Sequence, residues 1–281
     1  MTKNIYRILH KGLKKLHPYE AKGNEVRHLN TLTSFIFGII KSSKVTLSEI
    51  ASEIPNSGKE ESLIMKLRRW VANENIEIET YFLPFIQCLL QSISNNTIVL
   101  VIDGSTVGRG CITLMVSVIY KKRTLPLMWV TRKGGKGAFP EEMHVEIIRA
   151  VHELIPTGCD IVVLGDGEFN GTNWLNTINE FGWHYVCRTA KNSIFYEQDE
   201  RFKIEDTCPE KGNYVAINNL KFTDNQYGPI TAVVWWDDKY KQPIYLVSNF
   251  EIYEEICYWY QKRFYIETMF SDYKSRGFNI T

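Results

Sequence analysis

At Asn95-Asn96 the chain changes its hydrophobic period, and that change limits the possible folds more than any other feature. TIVLVIDGSTV is a short β-branched apolar run, the pattern of a buried strand. CITLMVSVIY and LPLMWVTRK follow, with the charged turn KKRT between them, which reads as an antiparallel pair. PEEMHVEIIRAVHELIP is an amphipathic helix with Pro140 near its start and Pro156 just beyond its end. DIVVLGDGEFNG is a further buried strand running into a Gly-rich turn, TNWLNTINEFG a helix and WHYVCRTA a strand. Three hairpin-linked strands followed by alternating elements predict the α/β class, a mixed sheet covered by helices. Over residues 191–250 the alternation stops, and FKIED, NYVAINNLKF, PITAVVWWDD and PIYLVSNF read as a β-rich insertion. IYEEICYWYQKRFYIETMFSDYKSR then reads as one long helix.

Residues 1–95 have helical spacing instead. IYRILHKGLKKLH and LNTLTSFIFGIIKSS are two helices; in VTLSEIASEIP, Thr46 and Glu49 suggest a capping box and Pro55 a stop. After the loop NSGKEES comes LIMKLRRWVANE, which carries Lys66, Arg68 and Arg69. Two short helices joined by a polar loop fit a helix-turn-helix that offers its second helix to DNA, and equally fit an ordinary helical bundle. Charge sharpens the choice. The whole chain is near neutral, with 33 Lys+Arg against 32 Asp+Glu, yet residues 1–96 hold 13 basic against 9 acidic side chains. A basic module on an acidic-balanced body points to a polyanion partner, or to a solvated helix face.

Other classes fall away. A chain that is 44% hydrophobic with net charge +1 is not disordered. The sequence has no apolar run long enough for a transmembrane helix and no secretory leader, so the expected compartment is the cytoplasm. Its six cysteines are scattered, with no CxxC and no zinc spacing. GDGEFNG imitates a dinucleotide fingerprint but lacks the third glycine in register, and Asp166 would repel a pyrophosphate. TRKGGKGAFP, with Lys133 and Lys136, is a basic loop without the GK[ST] of a P-loop.

Asp103 in VIDGS and Asp166 in VVLGDGEF each end an apolar run. Such residues from neighbouring strands meet at one sheet edge. Two carboxylates there repel unless a proton or a divalent cation lies between them, and oxygen-only ligands favour Mg²⁺ or Mn²⁺. Taken singly, each is also an ordinary turn or cap residue. On a straight helix Tyr260, Arg263, Glu267 and Lys274 fall within a stripe roughly 60° wide. That stripe fits a row of salt bridges, or a metal-ligand carboxylate beside cations that hold phosphates.

Together these residues resemble the D…D…E triad and the Y-(2)-R-(3)-E-(6)-K signature of DDE transposases of the insertion sequence 4 family. VIDGS, LGDGEFNG and PIYLVSN are similar to that family's contexts, over about residues 95–281. The resemblance implies a ribonuclease H-like fold over 96–281, with the insertion at about 191–250, preceded by a helical DNA-binding domain over 1–95. It implies that Asp103, Asp166 and Glu267 are catalytic and hold two Mg²⁺ or Mn²⁺ ions. Glu168, two residues beyond Asp166, reads from its position as an auxiliary ligand or an exposed side chain. Tyr260, Arg263 and Lys274 would contact DNA phosphates. Trp235 or Trp236 would stack a flipped base, unless they are core aromatics of the insertion. The partners implied are double-stranded DNA, at transposon ends and target, and a second copy in a synaptic complex, in a prokaryotic nucleoid. The family usually continues past the position of Thr281, so a truncated chain is the expectation. A nuclease that cuts without joining, and a decayed transposase that only binds DNA, are the alternatives.

Overall fold

Why the first helices bend back on one another is written in their small and apolar positions. The computed structural model describes residues 2–55, 58–135 and 139–278. It divides into two compact units, Met1–Ser92 with Ser271–Thr281, and Ile93–Phe270.

The first unit contains α1 (Thr2–Leu16), α2 (Asn24–Ser42), α3 (Leu47–Glu53), α4 (Glu60–Val71), α5 (Ile78–Tyr81) and the start of α6 (Leu83–Ile93). Phe35 of α2, Ile50 and Ala51 of α3, and Leu63 and Leu67 of α4 form one apolar cluster. Burying each large side chain there stabilises the unit by about 1.5–3 kcal/mol. The lysines and arginines stay outside: Arg7, Lys11, Lys14, Lys15, Lys66, Arg68 and Arg69 are exposed. Thr46 departs from the expected capping box. It precedes α3, but its hydroxyl donates to the Glu49 carboxylate at 2.9 Å and makes no cap to the backbone. The side chains pair with each other because both are exposed and in reach. Asn56 and Ser57 of the loop before α4 lie outside the described residues.

Gly38 marks the closest approach of α2 and α3. A Cβ there would stand 2.6 Å from both Cγ2 and the backbone oxygen of Ile50. Alanine in a helix interior normally gains about 0.5–1 kcal/mol over glycine. Here the backbone oxygen cannot yield as a flexible side chain would, so Gly38→Ala is expected to destabilise by about 1–3 kcal/mol. Thermal melting checks the sign; a higher melting temperature contradicts it.

The second unit is built on β1 (Ile98–Thr106), β2 (Cys111–Tyr120), β3 (Arg123–Lys133), α7 (Glu141–His152), β4 (Ile161–Gly165), α8 (Thr172–Glu180) and β5 (His184–Arg188). Then come β6 (Ile194–Glu197), β7 (Glu200–Lys203), β8 (Tyr214–Phe222), β9 (Tyr227–Trp235), β10 (Ile244–Ser248), α9 (Tyr253–Lys262) and α10 (Tyr265–Ser271). The described strands form one ten-stranded mixed sheet in the order β3-β2-β1-β4-β5-β10-β9-β8-β6-β7. β1, β4 and β5 are parallel; β2 runs against them, and β3, joined to β2 as a hairpin, runs with them again. The strands from residues 191–250 are not a separate layer. β10 pairs antiparallel with β5, and the rest continue the same sheet outward. The central strands β4 and β10 are buried along their whole length, as their apolar runs require.

The long helix read over 252–276 is interrupted. Arg263 N–H bonds Tyr260 O at 3.0 Å and Ile266 N–H bonds Arg263 O at 3.2 Å, so the chain tightens between α9 and α10. The reason is amphipathic: α9 buries Ile256, Cys257 and Tyr260, whereas α10 buries Ile266, Met269 and Phe270. On a straight helix those sets lie roughly 130° apart around the axis, so one unbroken helix could not bury both. A π-helical turn, Asp272–Arg276, follows. Among the described residues no helix is long and apolar enough to cross a membrane.

Candidate active site

Register brings the first two carboxylates to one edge. In the parallel pair β1/β4 the last partners are Val101 and Leu164. Asp103 and Asp166 stand two residues beyond each of them. Asp166 lies just past the end of β4, as a strand-end residue should. Asp103 instead lies inside β1, paired with Met115, because β2 keeps pairing after β4 has stopped. Both carboxylates, with Glu168, line a small cleft of about 110 Å³.

Local structure holds each one. The Asp166 carboxylate accepts the Glu168 N–H at 2.9 Å, and its carbonyl accepts the Phe169 N–H at 3.1 Å. Phe169 is fully buried and packs against the ring of His144, centroids 4.7 Å apart. Asp103 accepts the Gly104 N–H at 2.7 Å, and its side chain is only 15% exposed. Its carboxyl is pushed up to about 6, first by burial, then by the charge of Asp166 and slightly by Glu267; Arg263 and the Gly104 N–H pull the other way.

The third carboxylate arrives through Arg263. That side chain reaches Asp103 Oδ2 with Nη1 at 3.6 Å and Glu267 Oε1 with Nη2 at 2.6 Å. Arg263 is buried, which works against its charge, but Tyr260, Glu267 and Asp103 outweigh burial and raise its pKa. Tyr260 is fully buried beside it; burial raises the phenol, and Arg263 and Arg188 partly offset that. The structure therefore gathers Asp103, Asp166, Tyr260, Arg263 and Glu267 into one neighbourhood of the second unit.

The remaining expected residues belong to other elements. Lys274 falls in the π-helical turn, half-buried, within the first unit. Lys66, Arg68 and Arg69 sit exposed on α4. Trp235 ends β9 and meets Tyr240 edge to face at 5.3 Å, with Lys239 5.4 Å over its ring. Trp236 donates its indole N–H to Tyr240 O at 3.3 Å. Both indoles are half-buried rather than core. Lys133 ends β3, and Lys136 lies outside the described residues.

Sequence reasoning passed over Arg188. The parallel pair β4/β5 ends with Gly165 opposite Cys187, so Arg188 follows next to Asp166 across the strands. Strand order and register would have found it, and neither is local to the sequence. A cleft of about 740 Å³ is lined by Asp166, Arg188, Lys191, Glu205, Tyr245 and Arg263 among others, with Lys191 paired to Glu205 at 3.3 Å. Asp166 thus borders a cleft that also holds the guanidinium groups of Arg188 and Arg263, groups suited to phosphates that approach carboxylate-held metal ions.

The donor set fits divalent cations in kind: oxygen ligands alone, one of them kept from ionising easily by burial and a like charge. As placed, no group of three His, Cys, Asp or Glu among the described residues stands ready to hold a metal ion. The cluster is bridged instead by the guanidinium of Arg263.

Residues 97–281 match the family described as "Transposase DDE domain". No curated protein is similar enough to match. Among solved structures, the piggyBac transposase synaptic complex with hairpin DNA is similar at 11% identity and a TM-score of 0.49, covering 97% of this chain and 65% of that one. Human ENDOV is similar at 12% identity and a TM-score of 0.30, covering 64% of this chain and 86% of that one. Endonuclease V of Ciona intestinalis, in complex with a 24mer DNA containing an inosine followed by a ribo-adenosine, is similar at 15% identity and a TM-score of 0.29, covering 68% of this chain and 86% of that one. The chain thus spans just under two thirds of the piggyBac protein's length.

Proposed function

Because the chain belongs to the transposase DDE-domain family, we propose that it cleaves DNA at the ends of its own mobile element and joins the freed ends to target DNA. The observation that supports this most is the meeting of Asp103 and Asp166 beside an Arg263 that also holds Glu267. The sheet order β3-β2-β1-β4-β5, with β2 alone antiparallel to the rest, supports a ribonuclease H-like core. The Tyr260, Arg263, Glu267 and Lys274 spacing supports the insertion sequence 4 branch.

Asp103, Asp166 and Glu267 are the residues that would hold two Mg²⁺ or Mn²⁺ ions. Bound there, such ions supply an activated water or 3′-hydroxyl and stabilise the departing oxygen. The chain's own residues do the rest. Arg188 and Arg263 present guanidinium forks to the backbone phosphates on either side of the scissile bond. Tyr260, fixed by burial, orients Arg263. Trp235, with its indole half-exposed, offers a ring on which an unpaired base can stack. The exposed cations of α4 hold duplex DNA outside the scissile site, and a second copy of the chain completes the paired-end complex.

Incubation with Mg²⁺ and a plasmid carrying the flanking terminal repeats tests the reading. Nicking at the repeat ends, followed by strand joining into a second plasmid, is expected. Nicking without joining favours a nuclease, and retardation of DNA without nicking favours a binder. For α4, the triple change Lys66→Ala, Arg68→Ala and Arg69→Ala is expected to lower the slope of log affinity against log salt by about 0.9 for each phosphate that is no longer neutralised. Since all three side chains are exposed, the melting temperature should hold. An unchanged salt slope removes α4 from the DNA interface.

A further inference from the structure

The acid cluster already has a cation of its own, and that cation is covalently part of the chain. Arg263 is 7% exposed, with one amino nitrogen on Asp103 and the other on Glu267. Aromatic rings cradle its planar head: Phe264 at 4.8 Å and Tyr260 at 5.9 Å. Its third nitrogen, Nε, is buried without an acceptor. No group of three His, Cys, Asp or Glu among the described residues is gathered tightly enough for a metal ion. The two observations belong together. A guanidinium lodged between Asp103 and Glu267 holds them at its own bonding distances, and its charge repels any divalent ion that approaches.

The guanidinium has an exit. Arg263 also lines the large cleft, with Arg188 and with a Lys191 that pairs there with Glu205. A phosphate arriving there can accept from Nε and an amino nitrogen at once, the paired geometry that carboxylates here do not supply. It would satisfy the orphaned Nε and free both carboxylates.

We propose that Arg263 is a resident counter-ion that keeps the carboxylates from binding metal until a DNA phosphate draws it away, so that DNA and divalent-ion binding strengthen each other. The proposal rests on the reading of Asp103, Asp166 and Glu267 as metal-holding residues. It gives the fold a device: away from DNA the site does not load, and stray hydrolysis is suppressed. Linkage makes the effect reciprocal, so Mn²⁺ tightens DNA by the same factor that DNA tightens Mn²⁺.

The test is a Mn²⁺ titration of the full chain, read from the free-ion electron paramagnetic resonance signal, with and without a short DNA duplex. Asp103→Asn on the same duplex subtracts ions held by DNA alone. Without DNA, Arg263→Gln is expected to bind Mn²⁺ about tenfold more tightly than the native chain, within the usual 5–150-fold range of such couplings. The duplex should then tighten the native chain about tenfold and leave Arg263→Gln unchanged, while Arg263→Lys behaves as native. Equal affinities of native and Arg263→Gln without DNA, or equal tightening of both by the duplex, overturn the proposal. If Arg263→Gln does not fold, the native chain alone decides: no tightening by the duplex overturns it. If native and Arg263→Gln bind no Mn²⁺ beyond Asp103→Asn in either condition, the metal-site reading itself fails. Binding that Asp103→Asn abolishes, without any Arg263 effect, leaves that reading standing and removes only the counter-ion role.

Discussion

Asp103→Asn is expected to lower metal-dependent nicking on the order of 10³-fold or more, and at the same time to raise the melting temperature in metal-free buffer at pH 7. The two effects have one origin. The Asp103 carboxyl titrates near 6 in the folded chain, against an ordinary value of 3.8, chiefly because it is buried and secondly because Asp166 faces it. Between those two values the folded state binds the proton that the unfolded state has released. Stability therefore falls as pH rises through that interval and levels off above it. The difference corresponds to a cost on the order of 3 kcal/mol at neutral pH. An amide carries no charge and can still accept the Gly104 N–H, but it leaves Arg263 a weaker partner than the carboxylate. A net gain of about 1–2 kcal/mol at pH 7, vanishing below pH 4, is the expected result. Calorimetric melting from pH 4 to pH 8 checks it. A variant less stable than the native chain at pH 7 would show that Asp103 is a structural partner of Arg263 rather than a strained site residue.

Gly165→Val is expected to cost about 3 kcal/mol and to take nicking with it. Gly165 is the last residue of β4, buried, and followed directly by Asp166. A Cβ at this position would stand 2.6 Å from the Cβ of Phe169 and 3.2 Å from the Sγ of Cys187. Neither neighbour can retreat. Phe169 is wholly buried between His144 and Trp174, and Cys187 lies in the next strand, itself fully buried. The turn that places Asp166, closed by the Phe169 N–H on the Asp166 carbonyl, would have to open instead. Melting reports the stability loss, and nicking by the residual folded fraction at low temperature reports the displaced carboxylate. Native-like activity per folded molecule would mean that the turn tolerates movement and does not set the position of Asp166.

Local patterns carried much of this architecture. The β-branched runs around Val101, Val116 and Val163 are strands, and the hairpin turn at Lys121–Lys122 lies between β2 and β3. What stayed hidden depends on pairing between distant segments, which propensity does not encode. The junction of β10 with β5 is of that kind, and so is the position of Arg188 beside Asp166. The short strand Ile194–Glu197 escaped because it alternates too briefly to register as a period. The break at Arg263 was hidden for a different reason. The spacing of Tyr260, Arg263 and Glu267 is regular on a straight helix, but the buried faces of α9 and α10 disagree, and packing outweighs the local period. Arg263 and Glu267 still meet, since an i,i+4 pair needs only one turn. Lys274, inside the π-helical turn, no longer follows from the same wheel.

Everything proposed for the site turns on whether divalent ions bind where Asp103 and Asp166 come together. Crystals of the full chain grown with duplex DNA and Mn²⁺, measured at the manganese absorption edge, decide it. The expected map has an anomalous peak about 2.0–2.2 Å from carboxylate oxygens of both Asp103 and Asp166, with Arg263 turned toward a phosphate. Strong manganese peaks elsewhere, and none between these two side chains, would contradict the account.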